Sequence, residues 1–165
     1  MLARLPRLPR LRARAADDSG AAMVEFALVL PLLLTLVLGL VDFGRAFNYW
    51  IDQTHLANEA ARWAVVNRNP GADGGQTLQQ YIKAQAGAAD LRSATGASVC
   101  IDFPSGTSNV GDPVRVRVQF AFEWLPFFRN DPNFAFATTT IGGSATMRLE
   151  APPTNYSAGN VGGSC

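Results

Sequence analysis

The stretch that decides the fold is SGAAMVEFALVLPLLLTLVLGLVDF, residues 19–43. From Phe26 to Val41 every side chain is apolar or nearly so, and only Pro31, Thr35 and Gly39 interrupt the run. With residues 21–24 added it supplies roughly twenty residues, about what a helix needs to cross a bilayer. One carboxylate, Glu25, sits inside the N-terminal end of the run, and Gly20 stands just before it.

A cleavable secretory signal has an apolar region of about 7–15 residues followed by a small-residue cleavage site. This run is longer, and the Val41-Asp42-Phe43-Gly44-Arg45-Ala46-Phe47 that follows holds no clear A-x-A pattern. The segment is therefore expected to stay in the protein. Glu25 needs its own account. A charge at the centre of a membrane helix costs on the order of 2.5–3.5 kcal/mol, and less near the edge. Glu25 lies about 6–8 Å along the axis from Ala21 at the helical rise per residue, so a carboxylate tolerated at headgroup level is one reading.

The other reading is a resemblance. Gly20, four small or apolar residues, then Glu25 followed by Phe26 resemble the prepilin-peptidase site of type IV pilin-like proteins. The run AAMVEFALVLPLLLTLVLGLVDFGRAF, residues 21–47, is similar to the TadE-like family, the pseudopilins of tight-adherence (Flp/Tad) pilus systems. The similarity covers about residues 20–66; the C-terminal half shares only a general strand pattern. The resemblance implies a class III signal peptide cut after Gly20, with Ala21 as the new N-terminus and Glu25 as residue five of the mature chain. It implies that Glu25 faces the free amino group of Ala21, on an adjacent subunit or its own. Such a pair is useful in an apolar assembly because each charge alone there is costly. The function it implies is that of a minor pilin or pseudopilin in a Tad-type pilus, with roles in pilus assembly and cell adhesion. The implied partners are the prepilin peptidase, other pilins and pseudopilins of the apparatus, and membrane lipid. The alternative is an uncleaved, signal-anchored extracytoplasmic binding domain.

Working outward, residues 1–20 hold Arg4, Arg7, Arg10, Arg12 and Arg14 against Asp17 and Asp18, with Pro6 and Pro9 opposing a packed element. Arginines this close to a membrane span favour a cytoplasmic N-terminus. The expected location is thus the cytoplasmic (inner) membrane, single pass, with the C-terminal domain outside, or an extracellular pilus once assembled. The net charge of +1 gives no argument for nucleic acid, and no nucleic-acid partner is expected. Pro31 removes one helical hydrogen bond and predicts a kink or a locally opened turn.

Beyond Asp42 the pattern becomes amphipathic. Phe47, Trp50, Ile51, Thr54, Ala57, Ala61 and Val65 recur at spacings of three and four and predict one packed stripe. Arg45, Asn48, Asp52, His55, Glu59 and Arg62 fall opposite, where His55 with Glu59 and Glu59 with Arg62 have helix-neighbour spacing. Tyr49 and Trp50 are placed at the outer membrane boundary. The helix is expected to stop at Asn69-Pro70-Gly71. The organisation read from this is a basic leader peptide 1–20, a long helix 21–69 with its transmembrane segment at 21–41, an extracytoplasmic α+β domain 70–151, and a flexible tail 152–165.

In the α+β domain Thr77 can cap a second helix carrying Leu78, Tyr81 and Ile82. Residues 98–103 read as a short strand. In residues 114–124, Val114, Val116, Val118, Phe120, Phe122 and Trp124 alternate with Arg115, Arg117, Gln119, Ala121 and Glu123, a strand with one face buried. Residues 125–134 read as a loop with Phe127 and Phe128 exposed, and residues 136–149 as a strand with a bulge at Gly142-Gly143. The fold expected is pilin-like α+β: a long N-terminal helix packed on a small antiparallel sheet of about three strands. Cys100 and Cys165 can form one disulfide on an oxidising exterior, remain free thiols, or bridge two chains. Two cysteines and the lone His55 make no metal site. No nucleophile elbow, P-loop or zinc-protease signature is present, so no cofactor and no enzymatic reaction are expected.

Overall fold

A computed structural model describes residues 18–93, 95–125 and 138–161 of the chain. The chain divides after Leu38 into two compact units. The described part of the first unit is only the beginning of helix α1, Asp18–Val65. Its leucines, alanines and valines carry no polar group that competes with the backbone, and α1 runs through Pro31 as one element. The Thr35 hydroxyl donates to the Pro31 carbonyl at 2.8 Å. The apolar side chains here are exposed, and α1 is long and apolar enough to cross a membrane.

The second unit begins at Gly39 and packs the remainder of α1 with two short helices and a sheet. Helices α2, Leu78–Ala84, and α3, Ala89–Arg92, precede strands β1, Ser98–Asp102, β2, Pro113–Glu123, β3, Thr138–Arg148, and β4, Gly159–Val161. The sheet order is β3-β2-β1-β4, and every pairing is antiparallel. Helix α2 starts at a full capping box: Thr77 Oγ1 accepts from the Gln80 N–H, and Gln80 Oε1 accepts from the Thr77 N–H. The register places Val99, Ile101, Val114, Val116, Val118 and Ala145 on one face of the sheet, and all six are buried. Arg115, Arg117 and Asp102 share the other face, where Arg115 grips the Asp102 carboxylate through Nε and Nη2. The alternation read from β2 thus sets which side of the sheet is core.

Several expectations are corrected. The packed stripe of α1 contains Ala57, Ala61 and Val65 as foreseen, but Phe47, Trp50 and Ile51 face outward. The buried side is made instead by Ala46, Tyr49, Gln53, Leu56, Ala60 and Ala64, because small side chains let the helix axis come close to the sheet. Gly142 and Gly143 form no bulge; they pair in register with Gln119 and Val118. Gly143 is where α1 lies against the sheet: a Cβ there would stand 2.5 Å from Thr54 Cα.

Helix α1 ends before Asn69. Asn67 takes a left-handed conformation at φ 53°, its N–H donates to Ala64 O and the Arg68 N–H to Trp63 O. That is a Schellman termination with asparagine in the usual glycine position. The sheet has four strands rather than three, because the stretch after Pro152, expected as a flexible tail, wraps the end of α1. Asn67 Oδ1 accepts from the N–H groups of Thr154 and Asn155, and the Tyr156 hydroxyl donates to Ala64 O at 2.9 Å. The Tyr156 bond gives the Ala64 carbonyl a second donor beside the Asn67 N–H. Gly159–Val161 then pairs with β1.

Candidate functional site

The residues singled out at the N-terminal end, Gly20, Ala21, Glu25 and Phe26, all lie on α1 in the first unit and are exposed. The Gly20–Ala21 bond falls in the first turn, where backbone N–H groups have no helical acceptor and the helix opens most easily. A side chain at position 20 would meet nothing within 4 Å in this chain. Glycine is therefore not demanded there by packing. Glu25 sits one turn further on. No salt bridge reaches it among the described residues, so its carboxylate is free for a group outside them.

The second feature is the α1 segment that opens the second unit. Its two charges are folded back onto the α/β structure. Asp42 is 2% exposed; one carboxylate oxygen accepts from Arg45 Nη1 at 3.0 Å and the other from the Leu125 N–H. Arg45 in turn stands 5.7 Å over the Phe122 ring. Leu125 holds a left-handed φ of 48° just after β2, so Asp42 fixes the end of that strand to the helix. Tyr49, expected at a membrane boundary, is buried at 9% exposure, edge-on to Phe120 and Phe122. Its hydroxyl donates to Asp90 at 2.9 Å; burial, then that bond, push its pKa up.

With Asp42, Arg45 and Tyr49 turned inward, the outward side of the segment is apolar. Phe43 is 64% exposed, Phe47 51%, Trp50 48% and Ile51 51%. Phe47 and Trp50 touch, with ring centroids 5.7 Å apart. The sequence pattern put Phe47, Trp50 and Ile51 on the packed stripe while also placing Trp50 at the outer membrane boundary, and it gave Asp42 no role. A charged pair at i and i+3 directly after an apolar run was the available signal for Asp42 and Arg45.

Further along α1, His55 Nδ1 and Glu59 Oε2 are 3.9 Å apart on the surface, a weak pair at most. Glu59 accepts from Trp63 Nε1 at 3.5 Å, and no ion pair with Arg62 is present among the described residues. No group of three metal-ligating side chains occurs among the described residues. Cys100 is buried in β1 opposite Asn160 of β4, and no thiol is free among the described residues. Its expected partner, Cys165, lies outside the described residues, as do Phe127 and Phe128.

Against known proteins, the family model described as TadE-like protein matches residues 20–62. The match opens at Gly20 and takes in the apolar run and the outward face of the following segment. It supports a TadE-like protein of Tad pilus systems. No curated protein and no solved structure matches the chain.

Proposed function

We propose, from the TadE-like match over residues 20–62, that the chain is a minor pilin or pseudopilin of a Tad-type pilus, matured by a prepilin peptidase. The observation that carries this reading is one coincidence of position. The match begins at the glycine that precedes the apolar helix, and Glu25, without an ion pair among the described residues, follows five residues later. Cleavage after Gly20 leaves a new amino group on Ala21 at the end of a membrane helix. Among the described residues no side chain pairs with the carboxylate one turn away, which leaves it open to that group. Brought into an apolar bundle with other subunits, Glu25 and an Ala21 amino group neutralise one another, and the assembled state is favoured over lone helices. The chain acts as a structural subunit and not as a catalyst. Its N-terminus lies on the cytoplasmic side and the α/β unit outside, following the five arginines before the span. The same exterior location favours a bridge between Cys100 and Cys165, which would tie the chain end to β1; β4 already brings Asn160 opposite Cys100.

The test is N-terminal sequencing of the protein extracted from membranes with and without a prepilin peptidase. A chain that begins at Ala21 only when the peptidase is present is the expected result. A chain that begins at Met1 in both preparations refutes processing and leaves a signal-anchored exterior domain.

A further inference from the structure

We infer that the outward face of α1 formed by Phe43, Phe47, Trp50 and Ile51 is a lipid-contacting belt that seats the second unit in the headgroup layer of the bilayer. The inference rests on membrane insertion of the apolar run and is independent of cleavage and of pilus assembly.

The first ground is where the charges of the segment go. Asp42 is covered by the Leu125 N–H and by Arg45, and Arg45 leans back over Phe122. The outward residues that remain are Phe43, Gly44, Phe47, Asn48, Trp50 and Ile51, with a single amide and no charge among them. A surface meant for water has no use for this arrangement, since the two ionic groups able to solvate it are turned away. Three exposed aromatics offer roughly 300 Å² at half exposure, given the 150–250 Å² that such side chains bury. With Ile51 added, the patch reaches the size that marks an interaction surface.

The second ground is depth. About twenty residues cross the hydrocarbon. Counted from Phe26, with the span taken to begin beyond the carboxylate rather than at Ala21, it ends near Arg45. Each headgroup layer adds about 5–7 Å, or roughly the next four or five residues of helix. Phe47 and Trp50 fall there, and Phe43 falls at the end of the hydrocarbon. Aromatic side chains, Trp above all, concentrate at this level because the ring is apolar and its edge is polar. The belt follows the apolar run in the sequence of α1, and lipid covers it without any further protein.

The experiment uses the full-length chain in vesicles of phosphatidylethanolamine and phosphatidylglycerol, with W63F/W124F leaving Trp50 as the only tryptophan, excited selectively over tyrosine. Quenching is compared for nitroxide carried on the lipid headgroup, nitroxide deep on the acyl chain, and aqueous iodide. Headgroup nitroxide should quench Trp50 about twofold or more over the deep probe, with iodide quenching suppressed to a similar degree. Full access to iodide overturns the inference. So does protection from iodide with no response to either lipid probe, which would mean that protein covers the face. If the double variant does not fold, the difference between wild type and Trp50→Phe gives the same readout, because position 50 is exposed and the replacement keeps an aromatic ring.

Discussion

Replacing Gly143 by alanine tests the tightest contact of the second unit. The new Cβ would stand 2.5 Å from Thr54 Cα, 2.6 Å from Thr54 N and 2.8 Å from Gln53 C. All three are backbone atoms of α1, so no side chain can rotate out of the way. Carbon atoms rest at about 3.5–4.0 Å, and the helix must lift by about 1 Å. Lifting it strains a second contact. In the amide orientation that satisfies both ends, buried Gln53 donates to Ile141 O at 2.7 Å and to Val118 O at 3.2 Å. An extra ångström takes both bonds out of range. Overpacking costs about 1–3 kcal/mol, and each weakened bond about 0.5–1.5 kcal/mol. Alanine recovers about 0.5–1 kcal/mol of backbone entropy relative to glycine. The net loss is about 1–5 kcal/mol, a large part of a stability of about 5–15 kcal/mol. Urea unfolding of the detergent-solubilised chain, followed by near-ultraviolet circular dichroism, measures it. Gly44→Ala is the control: its Cβ meets nothing within 4 Å, and it should stabilise α1 by about 0.5–1 kcal/mol. If Gly143→Ala unfolds at the wild-type midpoint, or if the control loses as much, the account of helix-on-sheet packing is wrong.

Asp42→Ala should destabilise the second unit by about 2–3 kcal/mol, because it strips a charge-assisted bond from Arg45 and leaves the Leu125 N–H unmatched; a loss below about 0.5 kcal/mol in the same urea assay would show that the carboxylate does not hold the end of β2. Burial pushes the Tyr156 hydroxyl from 10.0 up to about 12. Its folded pKa is raised above the unfolded value, so its contribution is complete below pH 10 and is lost as pH rises toward about 12. Tyr156→Phe should flatten that part of the stability–pH curve, leaving the portion due to Tyr49, and an unchanged slope would sink the assignment.

How much of this was legible in the sequence differs from element to element, and the reason is the range of the signal. The apolar run and the strand β2 announce themselves because their periodicity is carried by neighbouring residues. The candidate residues Gly20 and Glu25 stand out for the same reason: a glycine, a spacing and a carboxylate lie within one short motif. The packing side of α1 was not legible. Large apolar residues at positions 47, 50 and 51 outweigh alanines in any reading of amphipathicity, yet the sheet took the alanine side, because Gly143 opens a slot that only a narrow helix face can enter. That glycine lies about ninety residues from Thr54, and nothing local ties the two. The strand β4 fails for a similar reason. Three residues, Gly159–Val161, have no period to detect, and the pairing that makes them a strand is with Val99, Cys100 and Ile101. Read together, the two misses have one physical origin and one consequence. Because the domain uses the small residues of α1 for its own core, the aromatic residues of the same helix are left outside. Core packing and the outward belt are therefore one choice of helix rotation. A rotation of α1 that buried Phe47 and Trp50 would force bulky rings into the Gly143 slot and return Asp42 to the surface.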